Sequence, residues 1–279
     1  MNAAVEFVRS SFGIFMAAAR HFNQSDGWAM SSHVALSSMI AIFPFLIFAT
    51  SLAGFLGNET RTDDIVELVF EYWPEEIAAP IVREIDIVLT RGNLGFLTIG
   101  IGLALFFASN GIEAVRIALN RAYRDQDGRS FLAQRIQSMM FILVAALLIL
   151  MASILLLLMP NLPAFAGDGS AALRHVLGSE PLRLAVAFFI LMLVVFACHA
   201  WLPGRRRPIR RIWPGIALTL LLWIVSARVF AHYVAAIADY SATYAGLAGI
   251  MTAQIFLYLM AVVLILGAEI NAELENRNQ

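Results

Sequence analysis

Six apolar stretches, residues 34–56, 94–112, 139–159, 184–202, 212–233 and 247–268, set the terms on which this chain folds. Each approaches, alone or with its flanks, the ~20 residues that a helix needs to cross a hydrocarbon core about 30 Å thick. Hydrophobic residues make up 60% of the 279 and charged residues 14%, with a mean hydropathy of +0.78, beyond the usual range of water-soluble domains. In lipid every backbone N–H and C=O must be satisfied within the chain, which selects helices. The expected fold is all-α: one polytopic membrane domain over residues 1–279, with six transmembrane helices and amphipathic interfacial helices.

Orientation follows from the arginines. The chain has no lysine, so all 19 basic residues are arginines, and five of them (Arg205, Arg206, Arg207, Arg210, Arg211) crowd into WLPGRRRPIRRIWP between the fourth and fifth spans. If that knot is cytoplasmic, alternation of six spans places 13 arginines on the cytoplasmic side and five on the other, as the positive-inside rule requires. Both termini are then cytoplasmic. Arg228, the nineteenth, falls inside the fifth span.

The segments between spans are amphipathic. Val5, Val8, Phe12, Phe15 and Ala19 recur at helical spacing, so residues 1–26 are expected as a helix on the cytoplasmic membrane surface. Its apolar core is short and Arg20 interrupts the cleavage region, which argues against a secretory signal. Residues 57–93 set nine acids against Arg61, Arg83 and Arg91, and are expected as an extracytoplasmic amphipathic pair broken at Pro74. In the first span Ser31, Ala35 and Ser38 share a face suited to close helix approach, and Pro44 introduces either a hinge or a fixed bend. The second span runs on into NGIEAVRIALNRAYR, where Glu113, Arg116, Asn120 and Arg124 form a polar stripe. That stripe is either the wall of a cytoplasmic vestibule or a solvated face, with Glu113 and Arg116 spaced to pair. Asp125-Gln-Asp-Gly resembles the start of a calcium loop, but Ile136 stands where the bidentate glutamate belongs, so it is a turn.

Arg228 lies 17 residues beyond Arg211, roughly 25 Å along a helix, and so near the outer boundary, able to meet an anionic headgroup, pair with Asp239 or snorkel. Glu269, at the inner end of the sixth span, is a substrate or proton contact, an arginine partner or a boundary residue. His199 and His232 sit at opposite faces, each as an interfacial polar residue. Lone Cys198 forms no disulfide within the chain, and no metal or cofactor is expected. Zincin, nucleophile-elbow and phosphate-loop signatures are missing, so no enzymatic activity is expected. Nothing marks a nucleic-acid surface.

Taken together, DGWAMSSHVALSSMIAIFPFLIF, NLGFLTIGIGLALFFASNGIEAVRIALNRAYR, HAWLP and YAGLAGIMTAQIFLYLMAVVLILGAEINAELE resemble the YihY/BrkB family of bacterial inner-membrane proteins. Phe43-Pro44, Leu119 to Tyr123, Leu202-Pro203, Tyr244-Ala-Gly-Leu and Gly267 to Asn271 carry the resemblance by their order and spacing. Leu36-Ser37, where an aromatic pair is expected, marks a divergent branch. The resemblance implies a plasma-membrane location and comes with a ribonuclease label that these residues do not support. Clustered metal-binding carboxylates or histidines, which phosphodiester hydrolysis usually needs, are missing from the cytoplasmic segments. Some relatives are linked to export of lipidic envelope components. The expected function is export or transport of a lipid-like or anionic amphiphilic envelope molecule, with Arg228, Glu269, Asn271, Glu113, Arg116, Asn120 and Tyr244 as candidate contacts. Membrane lipids are the expected partners, with envelope-assembly proteins or a second copy as further ones. A non-transporting envelope scaffold is the alternative.

Overall fold

A computed structural model describes residues 2–56, 94–158, 180–237 and 245–277, and all of the regular structure in them is α-helix. The helices are α1 (Asn2–Gln24), α2 (Gly27–Leu56), α3 (Leu94–Ala122), α4 (Phe131–Leu158), α5 (Glu180–Trp201), α6 (Ile209–Ile237) and α7 (Ala245–Arg277). The 57–93 segment and the link carrying Asp239 and Tyr244 lie outside the described residues.

Helices α2 to α7 are each long and apolar enough to cross a membrane. Their apolar faces carry exposed Leu103, Phe107, Met140, Met151, Leu221 and Val229, an outward surface that only lipid satisfies. The helices overrun the apolar cores at the arginine-rich end. There α2 starts at Gly27, seven residues before the apolar run at 34, α3 continues to Ala122, and α4 starts at Phe131. Polar side chains lie in these extensions, and burial against one another keeps them helical where hydropathy alone ends the span.

The helix ends at 24–27, 122–131, 201–209 and 277 converge, as their mutual ion pairs show. Helix α7 packs against α1, α2, α3 and α6, and the buried core around it includes Phe22, Leu119, Val195, Leu202, Ile212, Ile216 and Ala268. Helix α1 therefore does more than lie on a surface. Ala18 and Phe22 are buried while Phe12, Phe15 and Met16 remain exposed, so one face docks on the bundle and the other is left for an interface.

Small residues set the closest crossings. Ser31 and Ala35 are fully buried, and a Cβ on Gly111 of α3 would stand 3.3 Å from Cα of Ser38, which brings α2 and α3 together along that face. Helix α2 continues through Pro44 to Leu56. On the other side Gly215 of α6 and Gly267 of α7 meet backbone to backbone, where a Cβ on Gly215 would collide with the Gly267 carbonyl and the Asn271 amide. Gly215→Ala is therefore expected to cost about 1–3 kcal/mol through overpacking. Gly100→Ala, whose Cβ would enter open space, should leave detergent thermal stability unchanged or slightly raised.

Candidate functional site

The polar core begins with the end of α3. Asp125 N–H donates to the Asn120 carbonyl (2.8 Å) and Arg124 N–H to the Arg121 carbonyl (3.1 Å), a Schellman closure with Arg124 at φ 59° in the position that glycine usually takes. An ion pair from Arg124 to Glu273 at 3.6 Å helps hold this non-glycine left-handed residue. The reversal turns Asp125 and Asp127 back toward the helix they follow.

Asp127 is the hub of one half of the core. It accepts from Arg116 Nη1 (2.5 Å), Asn120 Nδ2 (3.2 Å) and, through both oxygens, Arg129 Nε (2.7 Å) and Nη2 (2.6 Å). Arg129 and then Arg116 hold its carboxyl well below the usual carboxylate range. Arg116 also pairs with Glu113, which accepts from Ser138 of α4 at 3.0 Å. Asn120 Oδ1 receives the Gly204 N–H (2.6 Å), and a Cβ on Gly204 would press on Asp127 Cα at 3.1 Å, so only glycine lets the two loops meet. Arg116 and Asn120 are buried, and the polar stripe faces this loop instead of a vestibule or bulk solvent. The reason is local: the turn after α3 is short enough for Asp127 to cover the stripe.

Arg207 organises the other half. Its side chain is only 4% exposed, pairs with Asp125 (2.7 Å) and Glu275 (2.8 Å), and stacks on the Tyr123 ring at 4.1 Å. One member of the arginine knot is thus a buried tie between the 202–208 loop, the 123–130 loop and α7. Arg211 reaches Glu275 from the surface, while Arg205, Arg206 and Arg210 are exposed.

Beneath these pairs, Asn271 on α7 uses its whole amide. Oδ1 accepts from Gly215 N–H (2.7 Å), and Nδ2 donates to the Ile212 carbonyl (2.9 Å) and to Tyr123 Oη (3.0 Å). The Tyr123 hydroxyl is in turn hydrogen-bonded to Nδ1 of His199 at 2.7 Å. Burial pushes the Tyr123 phenol above its ordinary value, so it serves as a neutral relay of hydrogen bonds. His199, expected at an interface, is instead fully buried in this chain of contacts. Two residues earlier, and so on the opposite side of α7, Glu269 is completely buried and faces His21 and Ser25 of the α1 end.

Arg228 is exposed on α6 and meets no partner among the described residues. The structure thus gathers Glu113, Arg116, Asn120, Glu269 and Asn271 at one end and leaves Arg228 apart. The sequence reading missed Asp127, His21, Ser25 and His199 as members of this core. It also missed a cleft of about 550 Å³ between α4 and α5, walled by Met140, Phe141, Val144, Leu193, Val194 and Trp201. Arg129, Gln137 and Arg206 close it at the arginine-rich end, where Arg129 also binds the Leu202 carbonyl at 2.9 Å.

Six apolar spanning helices closing on a charged core at one end define a polytopic helical membrane protein. Comparison with known proteins gives the particular lineage. The model of the family described as Virulence factor BrkB matches residues 18–279, and the chain belongs to that family. It is 31% identical to the putative ribonuclease-like protein YfkH of Bacillus subtilis, over 91% of this chain and 92% of the relative. A UPF0761 membrane protein of Pseudoalteromonas atlantica is 26% identical, over 90% and 83%. No solved structure matches.

Two outcomes follow for the core. Arg207→Ala strands Asp125 in a buried site and leaves Glu275 only Arg211, and should cost about 3–5 kcal/mol, read as a large drop in detergent melting temperature. Asp127 has a lowered carboxyl value, so its contribution is present above the unfolded value of about 3.9 and is lost as pH falls toward the folded one. Asp127→Asn should therefore lower stability at pH 7 and flatten the acid limb below about pH 4.

Proposed function

We propose that this protein binds and moves an anionic amphiphile across a bacterial plasma membrane, taking it from the cytoplasmic leaflet into the cleft between α4 and α5. The observation that carries this reading is the sorting of that cleft. Its walls are apolar along two spanning helices, and its arginine-rich end presents Arg206, which makes no ion pair with any described residue. Arg129 is already satisfied by Asp127 and Gln137, so Arg206 is the cation left to meet a phosphate. Apolar walls beneath a free guanidinium match an acyl chain beneath a charged headgroup. Placing this end, and both termini, in the cytoplasm rests on the distribution of 13 arginines against five.

Asp125, Asp127 and Glu275 at this end face arginines and thereby lose the open sites that a metal-dependent nuclease needs. That favours a lipid-handling protein over the activity suggested by the relative's printed name. Binding comes first and is measured by native mass spectrometry of purified protein after exposure to phosphatidylglycerol or phosphatidylcholine. Wild type should retain phosphatidylglycerol selectively. Arg206→Ala should reduce retention about fivefold, equivalent to about 1 kcal/mol per arginine at a membrane surface, and Ala197→Trp should block the cleft. Loss on Arg228→Ala instead would move the site to the opposite boundary. Equal retention of both lipids by every variant would leave the scaffold role as the better account.

A further inference from the structure

We propose that Glu269 and His21 form a proton-binding site that latches α1 onto α7. Seven carboxylates gather at this end of the bundle, and six of them face an arginine: Asp26 meets Arg121, Glu113 and Asp127 meet Arg116, Asp125 and Glu275 meet Arg207, and Glu273 meets Arg124. Glu269 is the seventh. It is 0% exposed, and its partners are His21 Nδ1 at 2.7 and 2.9 Å and Ser25 Oγ at 3.2 Å. A buried carboxylate opposed by arginine is compensated at every pH. One opposed by histidine is compensated only while the imidazole carries its second proton.

The one arginine that acts on Glu269, Arg124, is already shared with another carboxylate. On α1, Arg20 is exposed; α2 carries only His33, also exposed. Asp26 is occupied by Arg121. From the turn after α3, Arg124 faces this region but is paired with Glu273 of α7. On α6, Arg211 is held by Glu275 and Arg210 is exposed. Ala268 and Ala272 flank Glu269 on α7 and are buried, so water does not screen the carboxylate. His21 is 27% exposed, which gives a proton a route from solvent to the pair.

Losing that proton leaves a carboxylate buried against a neutral ring, and lifting α1 relieves this; its other described contacts include the buried Ala18 and Phe22 and the approach of Gly13 to Arg277, whose charge is shared with Glu273. A latch closed by a shared proton holds at low pH and weakens as pH rises. This does not depend on what occupies the α4–α5 cleft.

Hydrogen exchange of the α1 amides in the intact, lipid-reconstituted protein tests the latch, with rates normalised to the chemical exchange rate between about pH 5 and 9. Above its transition the wild-type opening constant should rise about tenfold per pH unit, the slope of one linked proton. His21→Arg should stay docked throughout, and Glu269→Gln should lose the pH dependence. Wild-type protection independent of pH, or a His21→Arg variant that keeps the wild-type slope, overturns the proposal.

Discussion

The constraint on which this molecule depends is the cost of holding charge where six spanning helices converge. A lone ion there would be expelled or neutralised, so the charges are assembled in pairs and hydrogen-bonded clusters. Arg207 shows the principle most fully. It joins two loops and the last helix through Asp125 and Glu275, and its guanidinium plane covers the Tyr123 ring. The helix ends are thus tied together by polar contacts, while the lipid-facing parts of the same helices offer only dispersion and small-residue packing.

That division of labour shapes the functional reading. In the core at the arginine-rich end Asp127, Asn120 and Asn271 spend their hydrogen-bonding capacity inside the chain, while His199 Nε2 and Arg135 Nε are buried without a partner. A core whose polar groups are mostly engaged with one another serves as a rigid platform, and its unengaged cations stand at the margin. Arg206 stands at that margin beside the α4–α5 cleft, and the His21–Glu269 contact is where a carboxylate of the platform meets a histidine instead of an arginine. Membership in the Virulence factor BrkB family establishes the architecture without assigning either role.

Much of the candidate site was visible as residue types and not as contacts. The pairing of Glu113 with Arg116 follows from a three-residue spacing on one helix, and it is present. Asp125 and Asp127 are identifiable as a turn, yet their aim back into the Arg116–Asn120 stripe depends on a left-handed Arg124, which nothing in the residue pattern announces. His199 illustrates the opposite error: position near a span end suggests an interface, whereas Tyr123, 76 residues earlier and itself held by Asn271, draws it inside.

The sequence by itself determined the class of protein, the number of spans and the asymmetry of the arginines, because hydropathy and charge act over short, contiguous windows. Tertiary structure alone decided which charges are buried, which unpaired arginine stands at the α4–α5 cleft and which carboxylate is answered by a histidine. Those outcomes depend on side chains distant in the chain meeting at hydrogen-bonding distance, as with His21 and Glu269, separated by 248 residues and joined at 2.7 Å.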